Sequence, residues 1–121
     1  MKKDNTLYLI HISECIGRIE QYMSELQVDF FRDFKTQDAV VRNLQILAES
    51  SQRLSNDFKT EHSEIDWKGL SGFRNVLVHD YLGVDIKRVL EIIRKDLPPL
   101  KTTIELILKE QSGDLFFKPK Q

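Results

Sequence analysis

Residues 5–26 are NTLYLIHISECIGRIEQYMSEL, a segment in which apolar side chains return every three or four positions. The positions that share this spacing are Tyr8, Ile12, Cys15, Ile16, Ile19, Met23 and Leu26. Such spacing places the apolar side chains on one face of an α-helix. The segment therefore predicts a long amphipathic helix, with the single cysteine of the chain among its core-facing residues.

The segment after this helix is rich in phenylalanine. Residues 28–34 are VDFFRDF, which we expect to form one or two helical turns whose aromatic rings cap the core. A second long helix is predicted for residues 37–58, where apolar side chains again keep helical spacing. Thr36 is its predicted N-cap, because a threonine hydroxyl can accept a hydrogen bond from an amide of the first turn.

Three more helices are predicted from capping residues and prolines. Asp66 is the predicted N-cap of a helix over residues 67–79, and Asp85 caps the next one. The proline pair at 98–99 cannot continue ordinary helical hydrogen bonding, so we expect a kink or break just before it. A last helix then runs to about residue 110.

Length and composition favour one all-α domain. A chain of 121 residues can build one core, and no linker or internal repeat divides it. Only 5 glycines and 3 prolines are present, too few for the many tight turns of a sandwich or barrel. We therefore predict a single domain over residues 1–121, an up-and-down bundle of four to five helices.

Charge and hydropathy exclude several kinds of partner. The 18 basic and 19 acidic residues nearly cancel, so the chain lacks the broad basic surface that holds nucleic acid or anionic membranes by bulk charge. The longest apolar run, residues 7–10, is too short for a secretory signal or a membrane span. We expect a cytoplasmic protein with neither a membrane nor DNA as its partner.

Metal and cofactor motifs are missing from the sequence. The three histidines, His11, His62 and His79, show no paired ligand spacing with each other or with Cys15. We interpret the first two as structural or solvated. Since the sequence also has no glycine-rich phosphate loop and no nucleophile elbow, we expect no metal and no cofactor.

One segment has a polar face that ordinary core packing does not require. Residues 67–81 are WKGLSGFRNVLVHDY. At about 100° per residue, Leu70, Phe73 and Leu77 fall on one side of the helix. The opposite side, here named the polar arc, carries Lys68, Ser71, Arg74, Asn75 and His79. Arginine, amide and imidazole groups can converge there.

This combination of side chains suits cleavage of a phosphodiester in RNA. Arginine binds two phosphate oxygens and keeps its charge, while histidine moves a proton near neutral pH. The ribose 2′-hydroxyl would attack phosphorus while Arg74 stabilises the phosphorane. Because one His79 cannot easily serve as both base and acid, the mechanism favours a symmetric homodimer with a shared cleft. Asn75, Ser71 and Lys68 would support the catalytic pair.

A purely structural interpretation competes with this one. His79 would lie in the last turn of its helix, where the helix dipole stabilises an imidazolium. Arg74 and Lys68 are then solvated charges, and Tyr81 is an aromatic ring packed at the helix end. That interpretation leads to a structural dimer without activity.

The same segment resembles a known family. Arg74, four intervening residues, His79, one residue and Tyr81 resemble the Arg-x4-His-x-Tyr motif of HepT toxins. These toxins belong to the higher-eukaryote and prokaryote nucleotide-binding (HEPN) domain group. The resemblance also covers residues 39–49, 67–85 and 96–98, so it includes most of the chain.

The resemblance implies a helical bundle that dimerises around the motif, with metal-independent endoribonuclease activity, as the toxin of a type VII toxin–antitoxin system. Arg74 and His79 match the catalytic pair of the family, and Asn75 matches the polar residue after the arginine. The implied partner is a small nucleotidyltransferase antitoxin, which transfers AMP from ATP to the motif tyrosine, here Tyr81. The charged, bulky nucleotide would keep RNA out of the cleft.

A noncatalytic subunit is the alternative function. Such a subunit would present Tyr81 or the cleft to a nucleotidyltransferase without cutting RNA. The near-zero net charge favours it, because an RNA-binding enzyme usually has a basic surface. A toxin arrests growth when it is expressed alone, whereas a docking subunit does not.

Overall fold

A computed structural model describes the backbone of residues 3–78 and 85–115, and the side chains of residues 5–73 and 85–111. The α-helices in these ranges are α1 (Lys3–Ser24), α2 (Phe34–Gln52), α3 (Asn56–Glu61), α4 (Trp67–Val78), α5 (Ile86–Glu91) and α6 (Leu97–Leu115). A 3-10 turn, Phe30–Arg32, precedes α2, and a π-helical segment, Ile92–Asp96, joins α5 to α6. None of these helices combines the length and the apolarity that crossing a bilayer requires. The all-α prediction is confirmed.

The core lies where α1 packs along α2. Leu9, Ile12, Ile16 and Ile19 of α1 are fully buried, and they share one cluster with Val40, Leu44 and Leu47 of α2. Cys15 is buried in the same cluster, and burial raises the pKa of its thiol. The helical spacing of residues 5–26 therefore predicts the core-facing side of α1 correctly.

Side-chain hydrogen bonds show how α1 runs against α6. Near the start of α1, Thr6 Oγ1 donates to Gln111 Oε1 at 3.1 Å. Near the end of α1, Lys101 Nζ donates to Glu20 Oε1 at 3.0 Å, and this carboxylate raises the pKa of the lysine. Since the early part of α1 meets the late part of α6, the two helices are antiparallel, as an up-and-down bundle requires.

The prediction of one helix over residues 37–58 is wrong, because the segment forms two helices. Ser55 has an extended backbone between them and caps α3 by accepting from the Phe58 N–H. Asn5 holds this break: its Nδ2 donates to Ser55 Oγ, and its Oδ1 accepts from the Ser55 N–H, both at 3.0 Å. Leu54 and Phe58 are buried on either side of the break, so their spacing still resembles one helix.

Replacing Asn5 by alanine should lower the free energy of unfolding by about 1–3 kcal/mol, the usual cost of a buried donor left without its acceptor. The side chain is 4% exposed, and its removal takes the acceptor from the Ser55 N–H. Urea unfolding followed by circular dichroism measures the change. The control, Gln21→Ala, lies on the same helix as Asn5. It removes an exposed hydrogen bond to Glu25 and should cost less than about 0.5 kcal/mol. Equal losses in both variants would contradict this role of Asn5.

Asp33, rather than the predicted Thr36, caps α2. Its carboxylate accepts from the Thr36 N–H at 3.0 Å, and this hydrogen bond lowers the pKa of Asp33. The helix accordingly begins at Phe34, earlier than predicted. Of the phenylalanines in residues 28–34 only Phe30 is buried, while Phe31 and Phe34 are exposed. The prediction that these rings cap the core is therefore correct for Phe30 alone.

The proline pair at 98–99 follows a change from π-helical to α-helical hydrogen bonding, and the helix continues through it without a break. Both prolines, which lack a backbone N–H, lie in the first turn of α6. The wider π-helical segment directly before them keeps α5 and α6 continuous in helical backbone geometry. When α5, the π-helical segment and α6 are counted as one continuous helix, the described part of the chain holds five helices, within the predicted number. Asp85 caps α5 as predicted, accepting from the Arg88 N–H at 3.2 Å, and α6 continues past residue 110.

Candidate functional site

The helix α4, which carries the polar arc, is anchored at its first turn. Asp66 caps it as predicted, accepting from the Gly69 N–H at 2.9 Å. The Trp67 indole donates to two carbonyls, that of Lys59 at 3.1 Å and that of His62 at 3.0 Å. These contacts tie the start of α4 to α3 and its following turn, so the helix enters the bundle in a defined position.

The apolar side of α4 faces the interior, as predicted. Leu70 and Phe73 are both buried in the main core cluster, and α4 packs against α2. An amphipathic helix buried on this side presents its opposite side away from its own core. The exposed Lys68 lies on that outer side of α4.

The first part of the polar arc is open. Lys68 is exposed and Ser71 is half-buried. Beside them, apart from the two chain neighbours of Gly72 and the adjacent backbone of α4, no heavy atom of the described chain comes within 4 Å of the position that a Cβ at Gly72 would occupy. This stretch of α4 therefore leaves room for another molecule to approach closely.

The second part of the polar arc is described only in part. Arg74 and Asn75 belong to α4, and helical register places Asn75 one turn beyond Ser71. His79 and Tyr81 lie outside the described residues. Four of the five residues of the arc thus share α4, and the convergence of Arg74 with His79 stays a prediction.

A cavity of about 300 Å³ lies on the apolar side of α4 and was not predicted. Its apolar lining includes Leu70 and Phe73 of α4 and Leu100 of α6. Its charged lining residues are Glu64, Asp66, Arg88, Lys95 and Asp96. Of the polar-arc residues whose side chains the structure describes, neither Lys68 nor Ser71 lines this cavity.

Ion pairs engage Arg88, Lys95 and Asp96 at the rim of this cavity. The Arg88 guanidinium lies 2.7 Å from the Glu91 carboxylate and 3.8 Å from that of Asp96, and Lys95 lies 3.7 Å from Glu91. A hydrogen bond from its own backbone amide lowers the pKa of Glu64. The three- and four-residue spacing of these charges is visible in the sequence, but their position around a cavity depends on the fold.

The described histidines are engaged with neighbouring side chains. The His11 ring meets Tyr8 edge-on with 6.4 Å between ring centroids. His62 lies 4.4 Å from the Phe58 ring centroid, and its Nδ1 is 3.4 Å from a Glu64 carboxylate oxygen. Within residues 5–73 and 85–111, no three or more His, Cys, Asp or Glu side chains are grouped so as to hold a metal ion.

One known family matches most of this chain. The model of the family described as ribonuclease HepT-like matches residues 12–107, which include α4 and the whole Arg-x4-His-x-Tyr motif. The chain belongs to the ribonuclease HepT-like family. The resemblance drawn from the motif is confirmed at this level, and the α-helical bundle of this HepT-like chain agrees with it.

Several curated relatives align with nearly the whole HepT-like chain. A probable ribonuclease HepT from Thermococcus cleftensis is 40% identical over 110 residues, covering 90% of this chain and 100% of that protein. A Methanocaldococcus jannaschii protein, named as a gamma-glutamylcyclotransferase and candidate RNase, is 38% identical over 111 residues. That alignment covers 91% of this chain and 50% of the relative, so the chain spans half its length. The mRNA nuclease HepT of Shewanella oneidensis is 27% identical over 123 residues, covering 82% of this chain and 92% of that one. No solved structure gives a significant match.

Proposed function

We propose that this HepT-like chain is a metal-independent endoribonuclease and the toxin of a type VII toxin–antitoxin system. The observation that carries the proposal is the family motif itself, with Arg74 on α4 and His79 following it, inside the matched range of residues 12–107. The relatives named as a ribonuclease, a candidate RNase and an mRNA nuclease support RNA as the substrate.

The proposed mechanism uses only the arginine and the histidine. His79 of one protomer takes the proton from a ribose 2′-hydroxyl, and that oxygen attacks the adjacent phosphorus. Arg74 binds the non-bridging oxygens and stabilises the phosphorane as negative charge builds on them. A second copy of His79 gives a proton to the departing 5′-oxygen. The products are a 2′,3′-cyclic phosphate and a free 5′-hydroxyl.

The need for a second histidine makes a homodimer part of the proposal. The open stretch of α4 around Ser71 and Gly72 supports this arrangement, because small residues let two helices approach closely. The exposed Lys68 on the same arc would contact phosphate, and Asn75 would help to orient the guanidinium. Both copies then contribute one Arg74 and one His79 to a shared cleft.

Control by a nucleotidyltransferase antitoxin completes the proposed function. The antitoxin would transfer AMP from ATP to the Tyr81 hydroxyl, forming a phosphodiester between tyrosine and adenosine and releasing pyrophosphate. The new negative charge and the bulk of the nucleotide, close to His79 in the sequence, would repel and block RNA. We place this pair of proteins in the cytoplasm, and the toxin itself uses no cofactor.

The purified protein should cleave a labelled RNA in excess EDTA. Because the 2′-oxygen is the nucleophile, the fragments should carry 2′,3′-cyclic phosphate and 5′-hydroxyl ends, which mass spectrometry identifies. A matched oligonucleotide with a 2′-deoxyribose at the cut site should remain intact, because its attacking oxygen is missing. Cutting that requires added Mg²⁺, or fragments with 5′-phosphate ends, would contradict the mechanism.

The second candidate function is a noncatalytic subunit of a nucleotidyltransferase complex. The net charge of −1 favours it, because nucleic-acid enzymes usually have a basic surface. Expression of this chain alone distinguishes the two functions. The toxin should arrest growth until an antitoxin is co-expressed, whereas the docking subunit should leave growth unchanged.

A further inference from the structure

Exposed apolar side chains are concentrated just before α2 and at its first residue. Val28 is 51% exposed, Phe31 is 42% exposed and Phe34 is 71% exposed, the largest fraction among the exposed large apolar side chains of the described chain. Single exposed apolar residues are common on protein surfaces. Phe31 and Phe34 lie three positions apart in the chain and are both in contact with solvent, and grouped exposed apolar residues mark binding surfaces.

The backbone that presents these rings is firmly held. Phe30 is buried in the core, and its carbonyl accepts from Gln37 Nε2 at 2.8 Å. The Asp29 carboxylate accepts from the Phe31 N–H at 3.0 Å, and Asp33 caps α2. The rings are therefore exposed by an anchored turn with defined hydrogen bonds.

Two cations accompany the exposed rings. Arg32 and Lys35 are both exposed, and neither takes part in an ion pair with the side chains that the structure describes. The carboxylates of Asp29 and Asp33 on the same segment each accept from a backbone amide, and the charge of Lys35 is among the causes that lower the pKa of Asp33. Solvent thus meets two aromatic rings together with charges of both signs on the same short segment.

We propose that Phe31, Arg32, Phe34 and Lys35 form a surface that binds single-stranded RNA. Bases of any sequence stack on exposed aromatic rings, while arginine and lysine contact the phosphates between them. This inference rests on the proposed function, because it gives the ribonuclease a substrate contact outside the polar arc. The net charge of −1 provides no general attraction for RNA, so a local surface has to hold the strand.

The composition of this surface favours RNA over a second copy of the chain. The centre of a protein interface is enriched in phenylalanine and arginine but depleted of lysine, so Lys35 is the residue of this surface that a contact between two copies would disfavour. Here each exposed ring is followed directly by a cation, Arg32 after Phe31 and Lys35 after Phe34. A strand that alternates bases with phosphates offers a partner to each exposed ring and to each cation that follows it.

RNA binding is tested in a His79→Ala background, so that the strand is not consumed. Fluorescence anisotropy with a labelled single strand of about 12 nucleotides gives the dissociation constant, and Phe34→Ala should raise it about tenfold. The matched control is Leu106→Ala, which truncates a 56% exposed apolar side chain on α6 and should leave affinity unchanged. A second variant, Phe34→Trp, should retain binding and lose indole fluorescence when a base stacks on it, by more than any change that the parent shows at its own Trp67.

Three results would overturn the surface: no RNA binding by the parent, equal affinity in Phe34→Ala and the parent, or an equal loss in Leu106→Ala. Analytical ultracentrifugation of Phe34→Ala tests self-association. If the substitution changes the oligomeric state and leaves RNA affinity unchanged, the rings form a contact between protein chains instead. The experiment also distinguishes a failure of the RNA-binding surface from a failure of the proposed ribonuclease. If Phe34→Ala weakens binding while the wild-type chain never cuts RNA, the surface stands and the proposed ribonuclease does not.

Discussion

The His79→Ala variant should cleave RNA at least about a thousandfold more slowly than the wild-type protein, because general acid–base groups supply factors of this size. In a homodimer with a shared cleft the substitution removes the base and the acid together. Arg74→Ala should be impaired by at least about a hundredfold, because the phosphorane then loses its cationic partner. Initial rates on a labelled RNA in EDTA measure both losses.

Matched controls separate these losses from a general effect of the substitution. Arg94→Ala removes an exposed arginine from the π-helical segment and should keep the wild-type rate. Arg74→Lys should restore only part of the activity, since an ammonium group cannot bind two phosphate oxygens in the planar way of a guanidinium. Circular dichroism checks that each variant is folded. A folded His79→Ala protein that cuts as fast as the wild type would show that the assignment of His79 is wrong.

The helices that the sequence predicts well are those whose signals are local. The apolar spacing of α1 and the aspartate caps of α4 and α5 need only neighbouring residues. The break between α2 and α3 depends on Asn5, which is 50 positions away from Ser55 in the chain. No local pattern indicates that contact, because Leu54 and Phe58 are buried at helical spacing on both sides of the break.

The N-cap of α2 shows a different limit of sequence analysis. Asp33 and Thr36 are both good capping residues, and either one could begin the helix. The structure selects Asp33 together with a 3-10 turn that buries Phe30 in the core. Phe30 and Phe31 are chemically identical neighbours, so only the packed fold determines which ring is buried and which reaches solvent.

The candidate site likewise has one part that local sequence predicts and one part that depends on the assembled fold. The motif with Arg74, His79 and Tyr81 is visible in the sequence, because its chemistry depends on residue types at fixed spacing along one segment. The cavity beside Leu70 needs α4, the π-helical segment and α6 to be assembled first, and no spacing within any one of them predicts it. Sequence therefore indicates the chemistry better than the surfaces around it.

The Tyr81→Phe variant should accept no AMP and should escape the antitoxin. Phenylalanine lacks the hydroxyl that would attack the α-phosphate of ATP, so transfer of radiolabelled AMP by the cognate nucleotidyltransferase should fall to background. Growth arrest by the variant should then persist when the antitoxin is co-expressed. RNA cleavage by the variant should stay near the wild-type rate, because the proposed mechanism gives the tyrosine no part in moving protons or binding phosphate.

The other two tyrosines provide the matched control. Tyr8 and Tyr22 are partly buried against the core on α1, outside the motif. Tyr22→Phe should therefore be labelled as fully as the wild type and remain under antitoxin control. If Tyr22→Phe loses the label while Tyr81→Phe keeps it, the modification site lies on α1. A nucleotide on α1 would add no charge beside the motif residues that contact RNA in the proposed mechanism. The antitoxin would then have to inhibit the toxin by acting outside the motif.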